Sequence, residues 1–330
     1  VTSIGIIGEC MIELSRVDVS GENISGENIS GENISGENIS GNQDELYQKR
    51  YGGDTYNTAY YLAQCAKSAI DVSYVTALGD DTISEDMIST FSTAGVNTDL
   101  IEKIPGAVPG LYAIQTDEHG ERSFLYWRSE APARQLFQTP QSETLKSELL
   151  KKDWLYFSGI TLAILHSKGR EAFFEFCQDF QAKGGKIAFD INYRPRLWVS
   201  KDEARSIIDK AYAISDLALP SYDDETLLFK VSSPQEAIDR ITKLGAKEVA
   251  LKNGAEEVYV HSHGETEKHD IIPANIVTDT TSAGDSFNAG YLYARLSGQD
   301  TPAAVKAGAN LAKQVIAKAG AIVPVTPPTF

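Results

Sequence analysis

Short apolar runs bounded by glycine or polar residues alternate along this chain with longer stretches whose apolar positions recur every three or four residues. The first run, Ile4-Gly5-Ile6-Ile7-Gly8, predicts a buried strand and its turn. Residues 9–14 (ECMIEL) alternate enough to continue as a strand. A helix is predicted over 55–67, opened by Tyr51-Gly52-Gly53-Asp54 with Asp54 as its N-cap. A strand at 72–78 and a helix at 81–94 closed by Gly95 follow. Residues 111–116 and 123–128 flank Asp117-Glu118-His119-Gly120, a hairpin signal. From Gln141 the pattern repeats: a helix, a strand at 154–158, a helix at 168–182, a strand at 186–190, a helix at 202–215 and a strand at 217–220. Another strand is predicted at 248–252, a late hairpin from 258–261 and 265–270, and closing helices at 286–297 and 301–319.

Alternating helices and buried strands imply an α/β fold, a doubly wound, mostly parallel sheet with helices on both faces. The polar, strand-rich pieces at about 9–51 and 109–128 read as a smaller β-sheet projecting from that single domain as a lid. In open α/β sheets ligands lie beyond the carboxyl ends of the strands, and Asp190, Lys252 and the turn at Asp279 fall at such ends. One stretch fits neither period: GENIS repeats in tandem over 21–40. Its composition of Gly, Ser and Asn predicts a surface excursion from local duplication, not a solenoid. The Asn-Ile-Ser sequons it carries at Asn23, Asn28, Asn33 and Asn38 read as chance matches without a secretory signal.

Composition narrows the function classes. Thirty basic against forty-six acidic residues give a net charge of −16, which argues against nucleic-acid or anionic-membrane partners. An anionic ligand must then be met by a few local cations, so individual arginines become informative. The three cysteines, Cys10, Cys65 and Cys177, have no framework or CxxC spacing, which predicts reduced thiols in the cytoplasm and no cysteine metal site. No apolar run is long enough for a membrane span, and the start at Val1 carries no signal-peptide pattern.

The chemistry concentrates in Asp279–Gly290, DTTSAGDSFNAG. A small-residue turn, Ser282-Ala283-Gly284, precedes an apolar run at helical spacing, so a helix opens there with free N–H groups and the positive end of its dipole. Gly284 lets an anion approach the backbone. A carboxylate beside an anion hole makes sense if Asp285 takes a proton from a hydroxyl while the amides steady a phosphoryl group. The alternative is a helix N-terminus whose acidic residue merely favours the dipole.

With these motifs on the page, the chain resembles the ribokinase (phosphofructokinase-B) family of sugar kinases over nearly its whole length outside the GENIS tract. The resemblance rests on Gly52-Gly53-Asp54-Thr55-Tyr56-Asn57, on Asp279-Thr280-Thr281-Ser282-Ala283-Gly284-Asp285, and on Asp190-Ile191-Asn192-Tyr193-Arg194 between them. GECMIEL, GLYAIQTD, FLYWRSEAPA and FDINYRPRLW look most like the members of that family acting on 2-keto-3-deoxygluconate. It implies Asp285 as general base and Ser282, Ala283 and Gly284 as the anion hole. Where the family usually has glycine this chain has Ser282, which fits only if that position keeps a negative φ. Gly52, Gly53, Asp54 and Asn57 would contact the sugar. Tyr112, Tyr126 and Arg128 would do so from the lid, with Arg194 as a second cation for carboxylate or phosphate. Arg128 answers a chemical need, because a guanidinium fork pairs bidentately with a sugar acid's carboxylate. On the nucleotide side the resemblance points to Asn192, Arg194, Ser221, Lys252, Gly254, Ala283, Gly284 and Asn310, with Asp224 near magnesium. It implies ATP and Mg²⁺, with a monovalent cation as an optional addition. An exposed lid sheet could pair edge-on with a second copy, which gives the expectation of a homo-oligomer formed through the lid.

The expected reaction is ATP-dependent phosphorylation of a sugar acid, 2-keto-3-deoxygluconate to its 6-phosphate. Two rivals stay open: a kinase for a neutral ketose such as fructose, and a non-catalytic sugar sensor on the same scaffold.

Overall fold

A computed structural model describes residues 1–16, 46–116 and 122–330 of the chain. The GENIS tract with its sequons and the Asp117–Gly120 hairpin tip lie outside the described residues. In chain order the strands are β1 (Thr2–Ile7), β2 (Met11–Arg16), β3 (Tyr47–Gly52), β4 (Ile70–Leu78), β5 (Ile101–Lys103), β6 (Leu111–Thr116) and β7 (Arg122–Trp127). They continue as β8 (Trp154–Ser158), β9 (Lys186–Asp190), β10 (Leu217–Ala218), β11 (Glu248–Asn253), β12 (Glu257–Ser262) and β13 (Glu265–Asp270). The helices are α1 (Asp54–Ala66), α2 (Thr82–Thr93), α3 (Ser142–Leu149), α4 (Gly159–Ile164) and α5 (Ser167–Ala182), then α6 (Lys201–Ala213), α7 (Tyr222–Phe229), α8 (Pro234–Leu244), α9 (Ala283–Leu296) and α10 (Thr301–Ile316).

Nine strands form the large sheet in the order β13-β12-β11-β10-β9-β8-β1-β4-β5. It is parallel from β11 to β5, and the β12–β13 hairpin adds an antiparallel edge. Because successive side chains point to opposite faces, the same strands feed two cores. Ile4, Ile6, Tyr74, Tyr156 and Ala250 pack against α1, α9 and α10 on one face. Ile7, Val75, Phe157, Phe189 and Leu251 pack against α3, α5, α6 and α8 on the other. Burial on both faces explains why these strands read as continuous apolar runs.

A separate four-stranded sheet, β3-β2-β6-β7, stands beside the large one. The chain enters it directly after β1, so residues 9–14 are not one continuing strand. Glu9 and Cys10 form the crossing, and β2 begins at Met11 in the second sheet. Two further expectations are corrected. Asp54 is not an N-cap: Gly53 takes that position, in extended backbone, and Asp54 is the first helical residue. Three helices, α4, α7 and α8, occupy segments for which no element was predicted.

Candidate active site

Two helix N-termini meet where the sheets join. Gly53 can open α1 only because it lacks a side chain: a Cβ there would lie 2.2 Å from the Glu9 carbonyl oxygen. At Gly52 a Cβ would meet the Tyr112 hydroxyl at 2.8 Å. Close packing within the protein thus requires both glycines. One turn into α1, Asn57 points at the start of α9. Its Nδ2 donates to Asp285 Oδ2 and to Ser282 Oγ, each at 2.8 Å. Thr58 Oγ1 donates to the Asp285 carbonyl at 3.3 Å.

The turn before α9 is held by Asp279. Its carboxylate accepts from Thr281 N (3.0 Å), Thr281 Oγ1 (2.7 Å) and Gly320 N (2.9 Å). Ser282 lies in the left-handed region with φ 62° and ψ 15°. The expectation of a negative φ is thus overturned, and this serine adopts the conformation that glycine takes without strain. Ala283 N donates to the Thr280 carbonyl at 3.2 Å. The first helical bond runs from Ser286 N to Ser282 O at 2.9 Å. Among the described residues, the N–H groups of Gly284 and Asp285 have no backbone acceptor, and the space beside Gly284 Cα is open. An anion at this helix start would meet the N–H groups of Gly284 and Asp285.

Burial, followed by the charge of Asp54, pushes the Asp285 carboxyl up to about 7, against the Asn57 hydrogen bond and the Lys252 charge. Asp54 is itself raised by burial and accepts from Asn192 Nδ2 at 2.8 Å. Asn192 also adopts a positive φ of 28°. Behind Asp285 lies a network that the sequence did not reveal. Asn288 Nδ2 donates to Asp190 Oδ2 (2.9 Å) and to the Tyr156 hydroxyl (3.1 Å). Lys252 Nζ donates to Asn288 Oδ1 at 2.8 Å and lies 3.4 Å from Asp190 Oδ1. The Lys252 ammonium thereby supplies a counter-charge to the buried Asp190.

The other expected residues divide into groups. Ser221 caps α7 by accepting from Asp224 N at 3.2 Å, and Arg194 Nη1 lies 3.9 Å from Asp224 Oδ1. A backbone bridge sets Ser221 beside Lys252, so Arg194, Asp224, Ser221 and Lys252 line adjoining strand ends. Gly254 turns the β11–β12 hairpin with φ 62°. Asn310 lies on an exposed part of α10 with its Oδ1 accepting from Gln314 Nε2 at 2.8 Å. On the small sheet, Tyr112 and Tyr126 are cross-strand partners with ring centroids 5.7 Å apart. Arg128 sits one residue beyond β7, its guanidinium 5.9 Å from the Tyr126 ring centroid. It is ion-paired with Glu9, a residue not singled out in the sequence. Tyr112 donates its hydroxyl to Glu13, another such residue. Among the described residues no helix is long and apolar enough to cross a membrane, and no cluster of three His, Cys, Asp or Glu side chains could hold a metal by itself.

Comparisons with known proteins agree with this geometry. A family model described as pfkB family carbohydrate kinase matches residues 1–328. A 2-dehydro-3-deoxygluconokinase of Dickeya dadantii is 41% identical over 98% of this chain and 97% of its own. The crystal structure of a Thermotoga maritima 2-dehydro-3-deoxygluconokinase superposes with a TM-score of 0.76 at 21% identity, covering 98% of this chain and 96% of that one. An Escherichia coli chain solved with ATP and Mg²⁺ gives a TM-score of 0.77 at 19% identity, over 97% of this chain and 94% of the other.

Proposed function

Because the chain belongs to the pfkB family of carbohydrate kinases, we propose that it transfers the γ-phosphoryl group of ATP to the 6-hydroxyl of 2-keto-3-deoxygluconate. The observation that carries the reading is the 2.8 Å hydrogen bond from Asn57 to Asp285, which places the glycine-pair helix directly against the carboxylate at the open N-terminus of α9. The substrate class is supported by the 2-dehydro-3-deoxygluconokinase at 41% identity and by Arg128 at the base of the small sheet.

Asp285, with its carboxyl pushed up to about 7, accepts the proton of the attacking hydroxyl. As the sugar oxygen–phosphorus bond forms, the bond from phosphorus to the ADP oxygen breaks, and the N–H groups of Gly284 and Asp285 take up the charge on the transferred group. Arg128 holds the substrate carboxylate, flanked by Tyr126 and Tyr112. Asp224 is a partly buried carboxylate at the strand ends, and one carboxylate together with substrate phosphates is a usual magnesium environment. The metal would be held there beside Arg194 and would supply neutralisation of phosphate charge. The small sheet acts as the lid that excludes water.

The outward face of the lid carries Leu14, Leu111, Ala113, Leu125 and Trp127, with Leu125 43% and Trp127 58% exposed. We assign that face to a second copy of the chain, which would give a homo-oligomer; light scattering on Trp127→Glu, expected to dissociate it, tests this. ATP as phosphoryl donor and three buried, unpaired cysteines fit a cytoplasmic setting.

The reading is tested by ADP release with a panel of ketodeoxy, aldonic and neutral sugars. Turnover is expected with 2-keto-3-deoxygluconate, and Arg128→Leu is expected to lower its kcat/KM by a factor corresponding to about 2–5 kcal/mol. Retention of full activity by Arg128→Leu would refute the carboxylate clamp. Thermal stabilisation by the sugar without ADP release would identify a sensor instead.

A further inference from the structure

We propose that Glu9 and Arg134 complete, with Arg128, a three-residue site for the substrate's carboxylate and a neighbouring hydroxyl. In this site Glu9 holds Arg128 by one edge, and Arg134 supplies the second positive charge that leaves the group cationic. The inference rests on the acid-sugar reading above.

The three residues lie where the chain passes between the sheets. Glu9 is in the crossing from β1 to β2, and Arg128 follows β7, where the chain returns. Arg134 belongs to a short 3-10 turn at Pro132–Gln135. Bonds from Ala131 N to Arg128 O (3.2 Å) and from Arg134 N to Ala131 O (3.1 Å) fold this return segment. His166 N fastens it to the large domain through the Arg134 carbonyl at 3.2 Å. Both guanidiniums act on the Glu9 carboxyl, which burial raises and the charges of Arg128 and Arg134 lower. The Glu9 carbonyl packs against Gly53 at the start of α1, and Asn57 one turn on bonds Asp285, so the proposed clamp and the base flank the same helix start.

Charge counting shows why Arg134 matters. Arg128 and Glu9 alone form a neutral, nearly buried pair, with side chains 12% and 2% exposed. A neutral pair offers an incoming carboxylate little net attraction. Two guanidiniums and one carboxylate leave a single positive charge, which a sugar acid cancels. The hydrogen-bond inventory points the same way. Glu9 Oε1, Arg128 Nε and Arg134 Nε are buried and have no partner among the described residues. Buried polar atoms rarely stay unpaired, because each forfeits its hydration without return. Two donors and one acceptor around one ion pair match a ligand that presents a carboxylate and a hydroxyl together, as a sugar acid does. A purely structural hinge would have no use for unpaired groups.

The test is calorimetric titration of the intact protein with 2-keto-3-deoxygluconate, each variant first being checked for a cooperative thermal transition. Arg134→Gln, with no net charge in the site, is expected to weaken Kd about tenfold, and Arg134→Lys to restore most of it. Glu9→Gln combined with Arg134→Gln returns the net charge to +1 and is expected to bind more tightly than Arg134→Gln alone. A double variant no better than the single, or wild-type affinity in Arg134→Gln, would overturn the proposal. If Arg134→Gln does not fold, Glu9→Gln alone decides: with a net charge of +2 it must bind at least as tightly as wild type, and weaker binding refutes the charge count. Arg128→Leu is titrated alongside. If it leaves Kd unchanged, the acid-sugar reading itself fails; if it weakens binding while the Glu9 and Arg134 variants behave as refuted, only this inference fails.

Discussion

Asn57 Nδ2 lies 2.8 Å from Asp285 Oδ2 and equally close to Ser282 Oγ, so a single buried amide on α1 fixes both the carboxylate and the cap of α9. Gly53 N reaches the other end of the same amide, 3.5 Å from Oδ1. The glycine pair and the C-terminal DTTSAGD stretch are thereby parts of one structure, although the chain between them builds most of the large sheet.

Replacing Asn57 with Ala removes a hydrogen bond that stabilises the charged form of Asp285. The carboxyl should then titrate above 7 and lose its fixed orientation. We expect kcat to fall about 10- to 100-fold, with the acid limb of the pH–rate profile displaced to higher pH. An acid limb that does not move would show that Asn57 does not govern the base.

Asp285→Asn should abolish most turnover, by about 10²- to 10⁴-fold, while making the protein more stable at alkaline pH. The sign follows from the proton count. The carboxyl binds its proton up to about 7 in the folded chain, against an ordinary aspartate value of 3.8. Between those limits the folded state holds more protons than the unfolded one. Wild-type stability from this group is therefore complete below about 4 and is lost as pH rises through 7. Asn carries no such penalty, so the variant should gain on the order of 1–3 kcal/mol over wild type at pH 8 and little at pH 4. Denaturant melts at the two pH values check it, and an equal gain at both would be the wrong result.

Much of this arrangement was legible in the sequence because it is local. The strands at 154–158 and 186–190 coincide with β8 and β9, since a strand buried on both faces must be an unbroken apolar run. Asp285 stood out because its turn, its helix and its carboxylate are contiguous. The network behind that carboxylate did not, since Asn288, Tyr156 and Asp190 meet only after three distant segments pack. Glu9 and Arg128 are paired across the sheet junction by the same kind of long-range folding. Of the helices not predicted, α8 carried a readable start in Ser233, Pro234 and Glu236, whereas α4 is a six-residue piece opening on glycine. The left-handed Ser282 was beyond reach: its φ is imposed by Asp279, Asn57 and the start of α9, and serine has no preference for it.

That backbone makes a clean comparison possible at position 282. Ser282→Gly and Ser282→Ala both lose the hydroxyl that accepts from Asn57, but only alanine keeps a Cβ at φ 62°. Glycine should therefore be more stable than alanine there by about 1 kcal/mol, the reverse of their order inside a helix. Urea melts of the two variants measure the difference. Alanine equal to or better than glycine would mean that the turn relaxes out of the left-handed region.

Lys252 presents the sharpest electrostatic test, because it acts on Asp285 without being hydrogen-bonded to it. Its ammonium donates to Asn288 and pairs with Asp190, and its charge holds the Asp285 carboxyl down, while Asp190 and Asp54 push it up. Lys252→Met should therefore shift the acid limb of kcat/KM to higher pH, with a larger activity loss at pH 6 than at pH 9. It should also cost about 3–5 kcal/mol of stability, since Asp190 is left buried without a counter-charge. Adding Asp190→Asn removes both the orphaned charge and one of the groups that raise Asp285. The double variant should thus recover stability and bring the acid limb back toward its wild-type position. A purely structural Lys252 would predict recovered stability with no displacement of the limb in either variant. A limb that moves in the single variant and returns in the double one shows that Lys252 and Asp190 set the proton affinity of the base from behind it.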